Sequence, residues 1–288
     1  MINKENSRAT IAELMARNDA TENNDPVCFD KPGLINNKTG PDINRSGIVE
    51  IKPHLQKLNM LVPGSCLGSD YSDEYRRIKR PLLSNAFGKT AQLVNNGNLI
   101  LVTSSLSGEG KTYTAINLAL SIAQERDHTV LLVDCDVAKL GTSRMLGLSD
   151  KPGLVDVLED ENYSLEDVIL RTDVPELCLV PAGKNHDLVP ELLASHKMSN
   201  LVSEISERFD DRIIIFDGPP LLSTPEAQIL TGLVGQVVFI IEAGKTPQAV
   251  VDEALQVIPE EQATGIVVNK SEGMSSRNGY YYGYYGSR

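Results

Sequence analysis

The sequence predicts an α/β fold in which helices cover both faces of a doubly wound, mostly parallel sheet. The first observation is a series of continuous apolar runs, which are typical of strands covered on both faces. The second is that helical patterns separate these runs, as they do in strand–helix–strand units. The composition agrees, because 41% of the 288 residues are hydrophobic and 23% are charged. These proportions are ordinary for a globular domain.

Six runs rich in β-branched and aliphatic residues are the predicted strands. They are residues 99–103, 129–133, 177–180, 212–216, 236–241 and 265–268. The predicted helices between them are residues 112–125, 189–208, 225–233 and 247–257. Ligands of such sheets bind at the carboxyl ends of the strands. We therefore expect chemically active residues directly after each apolar run.

The segment before the first strand divides into an arm and a helix. Residues 1–70 are predicted to be a flexible arm, because most of them are polar, Gly or Pro. A strongly charged helix is expected to begin near Ser72 or Asp73, either of which could be its N-cap, and to end at Pro81. Residues 71–270 are then the folded domain.

Charge and hydropathy exclude several classes of protein. The formal net charge of −12 disfavours a broad nucleic-acid-binding surface, so no nucleic-acid partner is expected. The cysteines form no CxxC pair, which argues against a zinc or iron–sulfur site. No run reaches the roughly 18 apolar residues that span a bilayer, and the N-terminus lacks the apolar region of a signal peptide. We therefore expect a cytoplasmic protein.

A phosphate-binding loop follows the first predicted strand, in the sequence LVTSSLSGEGKT. Backbone N–H groups of the loop and the helix N-terminus attract phosphate, the lysine adds a full charge, and the threonine hydroxyl can bind Mg²⁺. The strict pattern requires Gly at position 105, where this chain has Ser105, so the alternative is a Gly-rich turn before an ordinary helix. The candidate nucleotide-binding residues here are Ser107, Gly108, Glu109, Gly110, Lys111, Thr112 and Tyr113.

Acidic residues follow two other strands. Asp134 and Asp136 come after the second strand, and a spacing of two in extended chain places both side chains on one side, where they can serve one cation. Asp217 follows the fourth strand and resembles a Walker B aspartate, which holds Mg²⁺ through water. The alternative for Asp136 is a cap or turn residue. Together with Thr112, these carboxylates predict an Mg²⁺ and ATP site on a P-loop NTPase-like fold.

A second Gly-Lys-Thr, Gly244–Thr246, also follows a strand. Its loop is too short to surround a phosphate, and Pro247 begins the next helix. We interpret it as a turn.

The last nine residues contain five of the nine tyrosines of the chain. They lie in residues 271–288, a Gly- and Ser-rich segment that has no core pattern and is predicted to be a disordered tail. Such aromatic residues can form an adhesive surface, stack on a ligand, or be presented as a substrate. Phosphorylation would add roughly −1.5 to −2 charges per tyrosine, and the acidic body would then repel the tail. The candidate phosphate acceptors are Tyr280, Tyr281, Tyr282, Tyr284 and Tyr285.

Taken together, these motifs resemble the bacterial tyrosine kinase family, in particular the short cytoplasmic autokinases of exopolysaccharide loci. The resemblance covers about residues 71–288. It rests on SSLSGEGKT, on LLVDCD, on IIIFDGPP, on the terminal tyrosines, and on an ExxRxxR helix motif formed by Glu74, Arg77 and Arg80.

The resemblance implies an ATP-dependent autokinase that phosphorylates its tail in trans. Glu74, Arg77 and Arg80 would then join subunits into a ring, although an ordinary solvated helix face is the alternative. Lys111 and Thr112 would bind phosphate and Mg²⁺, and Asp134 would orient or deprotonate the acceptor. Asp136 and Asp217 would support the metal, and Asn269 would be a possible adenine contact.

The resemblance also implies a partner and a place in the cell. We expect the fused membrane domain of some relatives to be absent, so a separate chain-length-determinant protein would activate the kinase at the inner membrane and couple it to polysaccharide polymerisation and export. One departure is that Val137, Ala138 and Lys139 follow the second acidic motif, where the family usually has Arg and Pro.

Two alternatives remain open at this stage. A partitioning or septum-positioning ATPase of the same superfamily would have a lysine five residues before Lys111, where this chain has Leu106. A non-catalytic scaffold would bind nucleotide only to assemble, with the tyrosines as adhesive. The three carboxylates favour the kinase.

Overall fold

The computed structural model describes residues 47–63, 69–88, 94–125, 127–184, 189–209 and 211–271. The predictions for residues 1–46 and for the terminal tyrosines Tyr280, Tyr281, Tyr282, Tyr284 and Tyr285 fall outside these ranges.

One seven-stranded sheet forms the centre of the domain, in the order β3-β4-β2-β5-β1-β6-β7. The strands are β1 Leu99–Ser104, β2 Thr129–Asp134, β3 Leu170–Arg171, β4 Leu177–Val180, β5 Arg212–Asp217, β6 Gln236–Glu242 and β7 Ala263–Asn269. All neighbouring strands are parallel except β3 and β4. The predicted fold class is therefore confirmed. The short antiparallel strand β3 has no apolar run of its own and was not predicted.

Ten helices accompany the sheet in the part of the chain that the structure describes. They are α1 Lys52–Lys57, α2 Ser69–Phe87, α3 Lys111–Ile122, α4 Gly141–Met145, α5 Leu154–Glu159, α6 Leu165–Val168, α7 Val189–Leu193, α8 His196–Arg208, α9 Pro225–Leu233 and α10 Gln248–Leu255. None of them is both long and apolar enough to cross a membrane.

Strand β1 shows why the apolar runs are continuous. Leu99 and Leu101 belong to the core on one face of the sheet, and Ile100 and Val102 belong to the core on the other face. Successive side chains of a strand point to opposite faces. A strand covered by helices on both sides therefore needs apolar residues at every position.

Helix α2 does not end at Pro81, as predicted, but continues to Phe87, and it begins at Ser69 rather than near Ser72 or Asp73. A proline inside a helix removes one backbone hydrogen bond. Here tertiary contacts outweigh that loss, because Tyr75 and Leu82 are buried in the core. In addition, buried Lys79 donates a 2.6 Å hydrogen bond to the carbonyl of Ser121 in α3.

The boundary predicted at residue 70 is too late, because residues 47–63 pack on the folded domain. Ile51, Leu55 and Met60 are fully buried. The backbone N–H of Leu61 donates a 2.8 Å hydrogen bond to the side-chain oxygen of Asn117 in α3. A composition rich in polar residues concealed these few apolar anchors.

The single helix predicted over residues 189–208 is two helices, α7 and α8. Ser195 lies between them as the N-cap of α8, and its hydroxyl accepts a 3.3 Å hydrogen bond from the N–H of Met198. Serine is a strong N-cap because its side chain replaces a missing backbone partner.

Candidate functional site

The predicted catalytic residues Lys111, Asp134, Asp136 and Asp217 converge at the carboxyl edge of the sheet. Asp134 is the last residue of β2 and Asp217 is the last residue of β5, and the two are partners in register. Lys111 begins α3, directly after the loop that leaves β1. Since β1 and β2 lie on either side of β5, the loop and both carboxylates share one region.

Two glycines give the phosphate loop its shape. Gly108 and Gly110 have φ angles of 90° and 99°, in the left-handed region that favours glycine. A Cβ at position 110 would lie 2.0 Å from the side-chain nitrogen of Asn269, so only glycine fits. That nitrogen donates a 2.9 Å hydrogen bond to the carbonyl of Glu109. Asn269, predicted as an adenine contact, therefore lies against the loop itself.

Glu109 fixes the loop from inside. One of its buried carboxylate oxygens accepts a 2.7 Å hydrogen bond from the N–H of Leu106, and the other accepts one from the hydroxyl of Thr246. The Thr246 oxygen also accepts a 3.0 Å hydrogen bond from the N–H of Glu242 at the end of β6. The segment Gly244–Thr246 is thus a turn, as predicted, and it also ties β6 to the phosphate loop, which was not predicted.

Lys270, just after β7, provides another contact to the loop. Its ammonium donates a 2.6 Å hydrogen bond to the carbonyl of Gly108 and pairs with Glu242 at 3.1 Å. Hydrogen bonds from Lys270 and Lys245 lower the pKa of the Glu242 carboxyl. The ends of β6 and β7 therefore hold the loop through a network of charged side chains.

Lys111 forms a buried ion pair with Asp136. Asp136 lies two residues beyond β2, and its carbonyl accepts hydrogen bonds from the N–H groups of Lys139 and Leu140, as in a helical turn. Asp134 and Asp136 therefore have different partners.

Lys139 donates a hydrogen bond to the hydroxyl of Ser107, so the lysine in the segment that departs from the family pattern reaches the phosphate loop.

Asp217 is surrounded by hydroxyl groups. Its two oxygens accept hydrogen bonds from Thr112 at 3.3 Å and from Thr142 at 2.8 Å. Burial raises the pKa of Asp217 to about 6, although the charge of Lys111 acts in the opposite direction. Gly141 lies beside this pair, and a Cβ there would be 2.7 Å from the Thr112 hydroxyl.

Asp134 is fully buried, and within the described part of the chain only one of its oxygens has a hydrogen-bond partner. Oδ2 accepts hydrogen bonds from the N–H of Ser143 at 2.8 Å and from the Ser143 hydroxyl at 2.7 Å. Oδ1 has no hydrogen-bond partner among the described residues. Burial, and next the charge of Asp217, raise the pKa of Asp134 to about 7. An unpaired buried oxygen at a carboxyl edge is available to bind a cation or a proton.

These residues fit a nucleotide with Mg²⁺. The threonine hydroxyl of Thr112 and the carboxylates of Asp217 and Asp134 are the hard oxygen donors that Mg²⁺ prefers. The absence of a side chain at Gly141 leaves space beside them. Gly108, Gly110 and Lys111 supply backbone and ammonium donors suited to phosphate oxygens.

Four important residues were missed at the level of sequence: Thr142, Ser143, Thr246 and Lys270. Thr142 and Ser143 lie in the short helix α4, which has no apolar period, and no motif marks them. Thr246 does carry a signal in the sequence, because it closely follows the end of a strand, where site residues are expected.

The chain is similar to known proteins over most of its folded domain. An AAA domain family model matches residues 97–256, which include the phosphate loop and all three carboxylates. The chain is 33% identical to the tyrosine-protein kinase CpsD of Streptococcus agalactiae, over 71% of this chain and 89% of the relative. It is 31% identical to the tyrosine-protein kinase YwqD of Bacillus subtilis, over 73% and 86%. The chain belongs to the bacterial tyrosine-protein kinase family.

A solved structure agrees with this membership. The kinase domain of VpsO is 30% identical to this tyrosine kinase, with a TM-score of 0.55, over 69% of this chain and 98% of that domain. Some relatives are much longer than this chain. The tyrosine-protein kinase Ptk of Acinetobacter johnsonii is 34% identical over 60% of this chain, and the matched region is only 22% of Ptk.

The ExxRxxR residues of this tyrosine kinase lie on one exposed side of α2. Glu74, Arg77 and Arg80 are all exposed, whereas Tyr75 and Lys79 on the opposite side are buried. The three exposed residues form no ion pair with one another. The surface is thus separate from the helix face that packs on the domain.

Proposed function

We propose that this protein is an ATP-dependent tyrosine autokinase that phosphorylates, in trans, the terminal tyrosines Tyr280, Tyr281, Tyr282, Tyr284 and Tyr285. The observation that carries the proposal is the unpaired Oδ1 of Asp134, buried at the same sheet edge as Lys111 and Asp217. The reaction needs a proton acceptor next to a phosphate site, and this oxygen meets that need.

The roles of the side chains follow from their contacts. Asp134 Oδ1 takes the proton of the tyrosine hydroxyl as the phenol oxygen bonds to the γ-phosphorus and the bond to the β-phosphate oxygen breaks, releasing ADP. A phenol has a pKa near 10, so attack at neutral pH needs such an acceptor. Lys111 and the loop N–H groups orient the phosphates. Thr112 and Asp217, which lie next to Asp134, would hold Mg²⁺, and the cation would neutralise the negative charge that develops on the phosphate oxygens.

Asp136 positions the lysine in this scheme. Its carboxylate holds the Lys111 ammonium at the start of α3, where the phosphates would bind. Asp136 thus acts through Lys111 as well as supporting the metal. Asn269 stabilises the loop through Glu109 and remains our candidate for a contact to adenine.

We further propose that subunits associate through Glu74, Arg77 and Arg80, and that a ring forms in which one tail reaches the next site. Their exposure on α2 supports this proposal. A separate membrane protein of the polysaccharide chain-length-determinant type would activate the kinase at the inner membrane. Through it, the phosphorylation state would regulate exopolysaccharide polymerisation and export, while the domain itself stays cytoplasmic.

An ATPase switch of the partitioning type has less support. Such an ATPase requires a lysine at position 106. This chain has Leu106 there, which is 41% exposed and supplies no charge to the site. A scaffold that only binds nucleotide could use this oxygen as a ligand of Mg²⁺, but it has no need of a proton acceptor beside the phosphate site.

The test is intact-mass spectrometry on protein from a host without tyrosine kinases, incubated with and without Mg-ATP. We expect mass gains of one phosphate per step, which peptide mapping locates within residues 278–288. Lys111→Met abolishes the gains, and Lys57→Met, which changes an exposed lysine in α1, does not. ADP release without any mass gain would instead support the ATPase switch.

A second experiment tests whether phosphate is transferred between subunits. A Lys111→Met chain with its tail intact is mixed with an active chain whose five terminal tyrosines are changed to Phe. We expect phosphate on the Lys111→Met chain only, which the mass difference between the two chains identifies. An unmodified Lys111→Met chain would exclude transfer between subunits.

A further inference from the structure

A cavity of about 80 Å³ lies beside the candidate phosphate-transfer site of Lys111, Asp134 and Asp217, between the segments that follow β2 and β5. A water molecule needs only about 10–15 Å³ of such space, so the cavity accepts more than one water. Asp136 and Val137 line it on the β2 side, and Pro219, Pro220 and Leu193 contribute apolar surface. The cavity therefore has mostly apolar walls and adjoins the carboxylate that holds Lys111.

Two polar side chains in this cavity have oxygens without partners in the described part of the chain. Glu226 is 7% exposed, and its buried Oε2 forms no hydrogen bond. Thr224 has a buried hydroxyl that is also unpaired. Thr224 is the N-cap of α9, where a hydroxyl normally caps the helix, yet it forms no capping bond. Both oxygens are buried at the cavity wall, and a rotation of each side chain would bring them into hydrogen-bonding distance of a ligand.

The two oxygens and the apolar walls together match a phenol. A tyrosine hydroxyl can donate a hydrogen bond to the Glu226 carboxylate and accept one from the Thr224 hydroxyl, while its ring contacts the prolines and Leu193. Five tyrosines lie within the last nine residues of the chain, adjacent to one another or separated by a single glycine. One tyrosine can therefore dock while its neighbour reaches the phosphate.

We propose that this cavity is a docking subsite for a tyrosine of the C-terminal tail of a second copy, with Glu226 and Thr224 recognising its hydroxyl. The proposal rests on the proposed autokinase function and extends it. It assigns to Glu226 and Thr224 the selection of tyrosine over other aromatic residues beside the acceptor.

The test is a binding cycle that needs no phosphate transfer. A peptide of residues 278–288 and its analogue with Phe at all five tyrosine positions are titrated calorimetrically, with Mg-ADP, into the full chain whose own terminal tyrosines are Phe. We expect about tenfold tighter binding of the tyrosine peptide, because the analogue leaves both buried oxygens unpaired. Glu226→Gln and Thr224→Val each reduce this preference to less than about twofold. Glu253→Gln, at an exposed glutamate of α10, preserves it.

Equal binding of both peptides to the unaltered cavity, or binding of neither, would overturn the proposal and leave water as the occupant. A kinetic measurement adds a second readout, with the Lys111→Met chain as acceptor. There we expect Glu226→Gln to raise the KM for that acceptor about fivefold or more. If the unaltered kinase transfers no phosphate, the proposed function fails, but the subsite is still decided by whether Glu226→Gln and Thr224→Val abolish the preference for the tyrosine peptide, and an unchanged preference in both variants would overturn it.

Discussion

Asp134 and Asp217 are direct neighbours across two parallel strands, each as the last residue of its strand. Both are fully buried. Placing two carboxylates side by side in the core disfavours their ionised forms, because burial and mutual repulsion act together. The pair destabilises the fold and is therefore best explained by the cation and proton chemistry that it supports.

We expect the free energy of unfolding to depend on pH because of Asp134. Carboxyls in an unfolded chain ionise near pH 4, whereas the pKa of folded Asp134 is about 7. Between these values the folded state holds more protons, so the free energy of unfolding falls as the pH rises. In EDTA we expect Asp134→Asn to raise it by at least about 1 kcal/mol at pH 8, with the difference shrinking towards pH 4.

Urea unfolding at both pH values measures this difference. Asp252→Asn, at an exposed position of α10, is the matched control and should change stability little at either pH. A stability gain of Asp134→Asn that is equal at pH 4 and pH 8 would contradict the ionisation argument.

The second prediction tests the space beside Thr112. Gly141→Ala places a Cβ 2.7 Å from the Thr112 hydroxyl and 3.5 Å from a carboxylate oxygen of Asp217. We expect the shifted hydroxyl to weaken Mg-ATP binding about tenfold, a loss of about 1.4 kcal/mol. Calorimetry with and without Mg²⁺ measures it.

Gly232→Ala is the matched control, because Gly232 lies inside α9 with nothing within 4 Å of an added Cβ. It should leave Mg-ATP binding unchanged and stabilise the protein by about 0.5–1 kcal/mol. Equal Mg-ATP affinity in both variants would show that Gly141 does not protect the site.

The third prediction concerns the link between β6 and the phosphate loop. Thr246→Val removes the hydroxyl that binds Glu109, leaving one carboxylate oxygen of a buried glutamate unpaired. We expect a destabilisation of about 1–3 kcal/mol and a higher KM for ATP. Thermal unfolding and initial rates are the measurements. Thr264→Val, at an exposed position of β7, should change neither quantity.

The fourth prediction concerns the exposed side of α2. Arg77→Ala combined with Arg80→Ala should lower the oligomer mass and the trans reaction together, because both side chains point away from the domain. Light scattering and the mixed-chain mass assay measure these effects. Lys52→Ala with Lys57→Ala removes the same charge from α1 and serves as control. An unchanged oligomer mass in the arginine variant would assign these residues to an ordinary solvated surface.

Some predictions failed where distant contacts outweigh local preference. Helix α2 continues past Pro81, because Tyr75, Lys79 and Leu82 pack on the domain. The arm was predicted to be too long, because Ile51, Leu55 and Met60 are too few to form a pattern, although each is fully buried. Sequence composition averages over such anchors and cannot detect them.

Local sequence patterns were enough to predict the α/β class, six of the strands, the phosphate loop and the residue types at the strand ends. These features depend on the spacing of apolar residues, glycines and charges within a few neighbouring residues of the sequence. Which of these residues contact one another depends on the folded chain. The strand order brings Asp134 to Asp217 and Thr246 to Glu109 across long stretches of chain. Among the residues that the structure describes, it also leaves Asp134, Thr224 and Glu226 with unpaired buried oxygens, because hydrogen-bond satisfaction depends on neighbours that no local pattern encodes.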